Sequence, residues 1–372
     1  MILFLLFIGA CFLAYTNGAN DNFKGVATLF GSNTTNYKKA ITWATATTFA
    51  GSVAAIFLAS KLIKNFSGKG LVPDELIQMP VFAISIALGA ALTVFLATKI
   101  GMPISTTHTL VGALFGTGLM AVGTDFNFAK LGSTFLIPLL ISPLMAATFS
   151  FFGYLFFRFV RIKTGITKSS CICINEVPEI NILRNSNSFV ASSHTEWKIA
   201  KCEKETTTLK YDCEILGGTV QKIMDNLHFL SAGVVSFARG LNDTPKIVGL
   251  LIVINAFDVQ WGMLAIGVAM AVGGLINAKK VGITMSKKIT PMNSGQGFTA
   301  NLITGLLVTT ASIHGLPVST THVSVGSIFG IGTVTKQADF RVVSKIVLSW
   351  VLTLPIAALF GALIFSLLKF IG

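Results

Sequence analysis

Two pairs of short motifs carry the chemistry of this 372-residue chain. The first, Gly18-Ala19-Asn20-Asp21-Asn22-Phe23-Lys24, is answered by Gly240-Leu241-Asn242-Asp243-Thr244-Pro245-Lys246. Each sets a carboxylate beside an amide within an apolar run. A carboxylate at membrane depth costs about 2.5–3.5 kcal/mol on insertion scales, so it marks a pathway or an ion site. Oxygen-only ligands suit a hard cation rather than a transition metal. Gly18 and Gly240 permit local unwinding, which would free backbone carbonyls as further ligands. Asn20, Asp21, Asn242 and Asp243 are therefore expected to hold a coupling cation. Lys24 and Lys246 follow each Asp at i+3, on the same helical face. They are expected as a second layer, where an ammonium could stand in for a metal ion.

The second pair runs from Gly101 to Gly118 and from Gly315 to Gly332. Both read G-x-P-x-S-T-T-H-x-x-V-G-x-x-F-G-x-G, with 11 of 18 positions identical. Proline stops the preceding element and the Ser/Thr cluster caps a new helix. Such an N-terminus offers free N–H groups, hydroxyls and the positive end of a dipole, which together bind anions. Ser105, Thr106, Thr107, Ser319, Thr320 and Thr321 are the expected anion ligands. His108 and His322 are expected to complete a hydrogen-bond network behind them, and proton coupling would use such groups. Arg239 fits either beside the second site or as an interfacial, snorkelling side chain. An anion beside two ionised aspartates repels itself. Cations must enter with it, so symport follows more naturally than uniport.

The elements that position these residues are apolar. The chain is 52% hydrophobic and 12% charged, with a mean hydropathy of +0.74. Soluble domains carry about twice that charged fraction, which excludes a water-soluble enzyme. The net charge of +13 does not point to nucleic acid, because the basic residues sit at the ends of apolar runs, as positive-inside insertion produces. Segments fall near 1–31, 40–63, 80–98, 104–122 and 133–160, then near 226–257, 260–278, 296–313, 318–334 and 342–370. No segment alternates as a membrane barrel strand must, and lipid then leaves helices. The start, Met1–Tyr15, lacks the basic n-region and cleavage site of a signal peptide and is read as a mature helix.

Duplicated motifs in one order make this an internal repeat. Five segments per half is an odd number, so the second half enters the membrane upside down, even if 80–98 and 104–122 form a re-entrant hairpin. The expected fold is an all-α polytopic membrane protein of two inverted-topology repeats with discontinuous helices and re-entrant hairpins, the architecture of secondary transporters. The repeats are 1–160 and 223–372. Between them, 161–222 is a polar loop holding 16 charged residues among 62 and four of the five cysteines. Arg158, Arg161, Lys163 and Lys168 place it in the cytoplasm, where its thiols stay reduced. The irregular spacing of Cys171, Cys173, Cys202, Cys213 and His194 argues against zinc. No P-loop, nucleophile elbow or H-E-x-x-H occurs, so neither an ATP-driven pump nor a membrane protease is supported, and no cofactor is expected.

At these residues the sequence resembles the PiT family of inorganic phosphate transporters. The duplicated G-[AL]-N-D and P-x-S-T-T-H-x-x-V-G segments carry the resemblance, together with the polar loop between halves. It implies inorganic phosphate as substrate, cotransport with sodium or protons, and a homodimer in the plasma (inner) membrane. Sodium is favoured, since each Asp has an adjacent amide and sodium needs several oxygens at once. One departure matters: sodium-coupled members carry G-A-N-D-V-A-N, whose last Asn falls on Lys24 and Lys246. An anion channel on the same repeats would tolerate loss of the Asp pair. An enzyme acting on phosphorylated lipids would need an acid–base or metal cluster, and the sequence offers none.

Overall fold

Apolar runs of about twenty residues become helices here because lipid leaves each backbone N–H and C=O to be satisfied within its own segment. In the computed structural model, which describes residues 2–166, 170–182, 189–201, 204–205, 208–209, 216–253 and 258–371, the principal helices fall on the expected segments. They are α1 (Ile2–Asp21), α2 (Tyr37–Leu58), α3 (Pro80–Ile100), α4 (Thr106–Val122) and α5 (Ile137–Thr164) in the first half. The second half gives α6 (Val220–Val248), α7 (Val259–Asn277), α8 (Ser294–Ile313), α9 (Thr320–Thr335) and α10 (Phe340–Ile371). Among the described residues, 6 helical stretches are long and apolar enough to cross a membrane: Ile2–Gly31, Tyr37–Leu58, Pro80–Ile100, Phe128–Thr164, Val259–Asn277 and Phe340–Phe370. At 17 and 16 residues, α4 and α9 are shorter than a full crossing.

The chain divides into two units, Met1–Tyr154 with His228–Gly372, and Leu155–Leu227. The larger unit is helical and polar inside. Leu140, Leu144 and Phe152 on α5 are exposed, as are Val351, Leu359 and Phe370 on α10, whereas Asp21, Lys24, Arg239, Asp243 and Lys246 are buried. An apolar exterior of this extent belongs in lipid. In the smaller unit, the polar segment expected as a loop forms strands β1 (Ser170–Ile182), β2 (Phe189–Lys201) and β5 (Leu216–Thr219) in one antiparallel sheet, ordered β2-β1-β5. The short pair β3 (Lys204–Glu205) and β4 (Thr208–Leu209) forms a second. Among the described residues, strand is thus confined to this unit. Cys202 and Cys213 lie outside the described residues.

The unwinding expected at Gly18 and Gly240 is not found, because both residues lie within regular helix. Their role is close approach. A Cβ on Gly18 would lie 1.9 Å from the carbonyl oxygen of Met270 on α7, and one on Gly240 would lie 2.0 Å from that of Thr48 on α2. Each first helix thus packs backbone-to-backbone on the second helix of the other half. The break in α1 comes later: it tightens to a 3-10 turn over Asn22–Val26, directly after Asp21, and resumes over Ala27–Gly31. In contrast, α6 runs through Asp243 and Pro245 and changes to 3-10 only at Gly249–Val253.

Candidate functional site

Helix α3 ends at Ile100 on the left-handed Gly101, and α8 at Ile313 just before the left-handed Gly315. Past Pro103 and Pro317 the chain starts α4 and α9 with the same local bonds. The Ser105 hydroxyl accepts from the His108 N–H at 3.1 Å, and that of Ser319 from the His322 N–H at 3.2 Å. Both serines therefore cap their helices. These first turns are buried, so the dipole ends and adjoining hydroxyls point into protein rather than water.

Into this region α1 and α6 bring the charged residues. The Lys24 ammonium contacts the Asp21 carboxylate and donates to Asn20 Oδ1 at 2.9 Å, the Ile104 carbonyl at 2.6 Å and the Thr321 hydroxyl at 2.8 Å. The Lys246 ammonium donates to the Val318 carbonyl at 2.7 Å and the Thr107 hydroxyl at 2.7 Å, and pairs with Asp243 at 3.5 Å. Each lysine thus joins the carboxylate of its own half to a threonine of the other half. In turn, Thr321 donates to the Ile104 carbonyl at 3.0 Å and Thr107 to that of Val318 at 3.3 Å. The amides repeat the pattern. Asn20 donates to Thr98 at 3.0 Å, and Ser312, the equivalent of Thr98, donates to Asn242 at 3.1 Å.

The two carboxylates share the Asn17 amide, which donates to Asp21 at 3.2 Å and to Asp243 at 3.3 Å. Asp243 also accepts from the Asn242 amide at 3.0 Å. The carboxylates differ in a further partner. Asp21 accepts from the Thr106 hydroxyl at 3.0 Å, whereas Asp243 faces the Arg239 guanidinium, 3.6 Å away. Arg239 is fully buried, not interfacial, and donates to Asn17 Oδ1 at 2.5 Å and Asn22 Oδ1 at 2.9 Å. Among the described residues, the buried charged side chains are Asp21, Lys24, Arg239, Asp243 and Lys246. Three cations face two anions. Each such ion loses several kcal/mol of hydration on burial, so the cluster persists only because its members pair. Asn17, Thr98 and Ser312 lie outside the quoted motifs, and Asn22, inside the first of them, was given no role, although the repeat offset sets Asn17 opposite Arg239 and Thr98 opposite Ser312.

His108 and His322 lie with ring centroids 4.4 Å apart, and His322 stacks on Trp350 at 3.8 Å. His322 Nδ1 bonds the Leu139 carbonyl at 3.2 Å, while His108 Nδ1 and His322 Nε2 are buried without a protein partner. A network is thus present at one nitrogen. Thr320 is buried in the first turn of α9. No group of three or more His, Cys, Asp or Glu able to hold a metal occurs among the described residues. A cavity of about 280 Å³ reaches the edge of the charged cluster. Tyr15, Ala19, Thr98, Lys99, Lys279 and Lys280 are among its lining residues, so its wall carries positive charge up to the hydroxyl that holds Asn20.

Apolar helices around a buried knot of paired charges, contributed by both halves, fit an integral membrane transport protein. The chain belongs to the phosphate transporter family, whose profile matches residues 17–361. It is 26% identical to a Pyrococcus abyssi protein provisionally named a phosphate permease, over 408 residues that cover 100% of this chain and 98% of the relative. It is 28% identical to a Haemophilus influenzae protein given the same provisional name, covering 96% of this chain and 94% of that one. A solved structure described as the sodium-dependent phosphate transporter shares the fold, with a TM-score of 0.77 at 23% identity and full coverage of both chains. The family that the duplicated motifs resemble is borne out.

Proposed function

We propose that this phosphate transporter is a cation-coupled symporter of inorganic phosphate, working by alternating access between two inverted repeats. Phosphate sits between the N-termini of α4 and α9, at Ser105, Thr106, Thr107, Ser319, Thr320 and Thr321. One observation carries this reading: Lys24 reaches Thr321 and Lys246 reaches Thr107, so both first turns converge on one buried, net positive centre. The cavity at Thr98 and Lys99 supplies access from one side. Sodium is the driving ion, held at Asn20, Asp21, Asn242 and Asp243. The oxygen-only donors there support it, as does the sodium dependence by which the structural neighbour is described. Proton coupling is the second reading, and a specific observation favours it: the Lys24 ammonium already fills the oxygen set that sodium would use. The protein acts as a homodimer in the plasma (inner) membrane, with 161–222 on the cytoplasmic side.

Uptake of labelled phosphate into proteoliposomes, with sodium and pH gradients imposed separately, tests the proposal. Uptake should rise with external sodium at fixed pH, and Asp21→Asn and Asp243→Asn should abolish that dependence. Uptake indifferent to sodium but driven by an inward proton gradient would reverse the choice of ion and leave the phosphate site standing. Absence of phosphate uptake under every gradient would overturn the function itself. For the loop, labelling of its cysteines by an impermeant reagent from outside intact cells would contradict the cytoplasmic placement.

A further inference from the structure

We infer that Lys24 and Lys246 are direct phosphate ligands, and that each ammonium exchanges its carboxylate for the substrate when phosphate enters. This inference rests on the proposed phosphate site between α4 and α9. Both lysines touch that site already, at 2.8 Å to Thr321 and 2.7 Å to Thr107. Both are almost wholly buried, so water is not available to solvate the ammonium in place of a partner.

The carbonyls of Ile104 and Val318 make the lysines necessary. Each accepts both from the threonine hydroxyl beside it and from the lysine ammonium. An anion brought to these threonines meets two carbonyl oxygens, which repel it. Only a cation held between carbonyl and anion turns that contact favourable, and each ammonium stands at that position. Lys24 also has more acceptors than protons, with three N–H donors facing oxygens of Asn20, Asp21, Ile104 and Thr321. A phosphate oxygen can replace one of these without leaving a donor unmet.

Exchange also links substrate to coupling ion. While Lys24 lies on Asp21, its ammonium fills the oxygen set; when it turns to phosphate, the Asp21 carboxylate and Asn20 amide oxygen lose their cation. A driving cation then replaces it. Phosphate and cation each favour the other's binding, as linkage requires. The excess of one buried positive charge makes anion entry the first favourable event.

The test is equilibrium binding of labelled inorganic phosphate to the purified full-length chain, with thermal unfolding as the control for folding. Wild-type protein should bind phosphate, and failure there would count against the phosphate site rather than against this inference. Lys24→Gln and Lys246→Gln should each weaken binding by about tenfold or more, as expected for a lost charge-assisted hydrogen bond. Measured without sodium, Asp21→Asn should hold or tighten phosphate, because it removes the competitor for Lys24. The double variant Asp21→Asn/Lys24→Gln removes the ion pair together, so it keeps the buried charge unchanged and serves where the single lysine variant does not fold. Binding by the double variant should remain weakened about tenfold relative to wild type. Wild-type affinity in the double variant would show that Lys24 only neutralises Asp21, and would overturn the inference.

Discussion

Asn17 and Arg239 occupy equivalent positions of the two halves and bond to each other, with the guanidinium donating to the Asn17 amide oxygen at 2.5 Å. His108 and His322, a second equivalent pair, also meet. Like meets like where the halves join, but only one member of the first pair is charged. Arg239 thus accounts for the buried positive excess, and it ties α6 to Asn17 and Asn22 of the first half.

Replacing Arg239 by Gln should break its pair with Asp243, leaving that carboxylate Lys246 at 3.5 Å and the amides of Asn17 and Asn242. Breaking a buried pair in this way costs about 3–5 kcal/mol. Thermal unfolding of the purified variant should show a large loss of stability. Arg239→Lys should rescue it poorly, because one ammonium cannot reproduce a forked guanidinium bonded to Asn17 and Asn22 together. Wild-type stability in either variant would show that the guanidinium does not hold the halves together.

Gly18→Ala and Gly240→Ala should impair assembly, since the added carbon would fall 1.9 and 2.0 Å from backbone oxygens that cannot swing aside. Overpacking typically costs about 1–3 kcal/mol, and rigid backbone neighbours place these sites at the upper end. Gly153→Ala is the matched control, with its nearest neighbours at 3.7 Å. Size-exclusion profiles and melting should separate the first two variants from the third. Equal behaviour of all three would return Gly18 and Gly240 to a hinge role.

Lys99, Lys279 and Lys280 line the cavity and are exposed, so their charges can draw anions, although Lys280 also donates to the Lys99 carbonyl at 3.2 Å. Changing all three to Gln should slow uptake at low phosphate and low ionic strength by roughly tenfold, within the range of electrostatic steering. The deficit should shrink as salt is added and as phosphate approaches saturation. A deficit independent of salt would mean that these lysines act by contact instead.

The starts of α4 and α9 were legible because they are local. Pro103 and Pro317 followed by serine caps need nothing from the rest of the chain. The repeat was legible for the same reason. What Lys24 and Lys246 do was not, because their partners Thr321 and Thr107 are set by how the halves cross, and spacing on one helix shows only the i+3 aspartate. Gly18 and Gly240 were misread because glycine serves both unwinding and close packing, and the deciding atoms belong to Met270 and Thr48. Asn17 stayed hidden one residue outside the quoted motif. The strands at Ser170–Ile182 and Phe189–Lys201 were missed because a polar, charged composition outweighed their short apolar alternation.

Under the proposed function, threonines from two equivalent helix starts hold one phosphate. Equilibrium phosphate binding to Thr107→Val, Thr321→Val and the double variant tests it most directly. Each hydroxyl on a charged oxygen contributes about 1.5–3 kcal/mol, so each single change should weaken binding at least tenfold. In the double variant, where both halves of one shared site are damaged, binding should fall below detection. Phosphate binding by either single variant at wild-type affinity would place the site elsewhere and contradict the account.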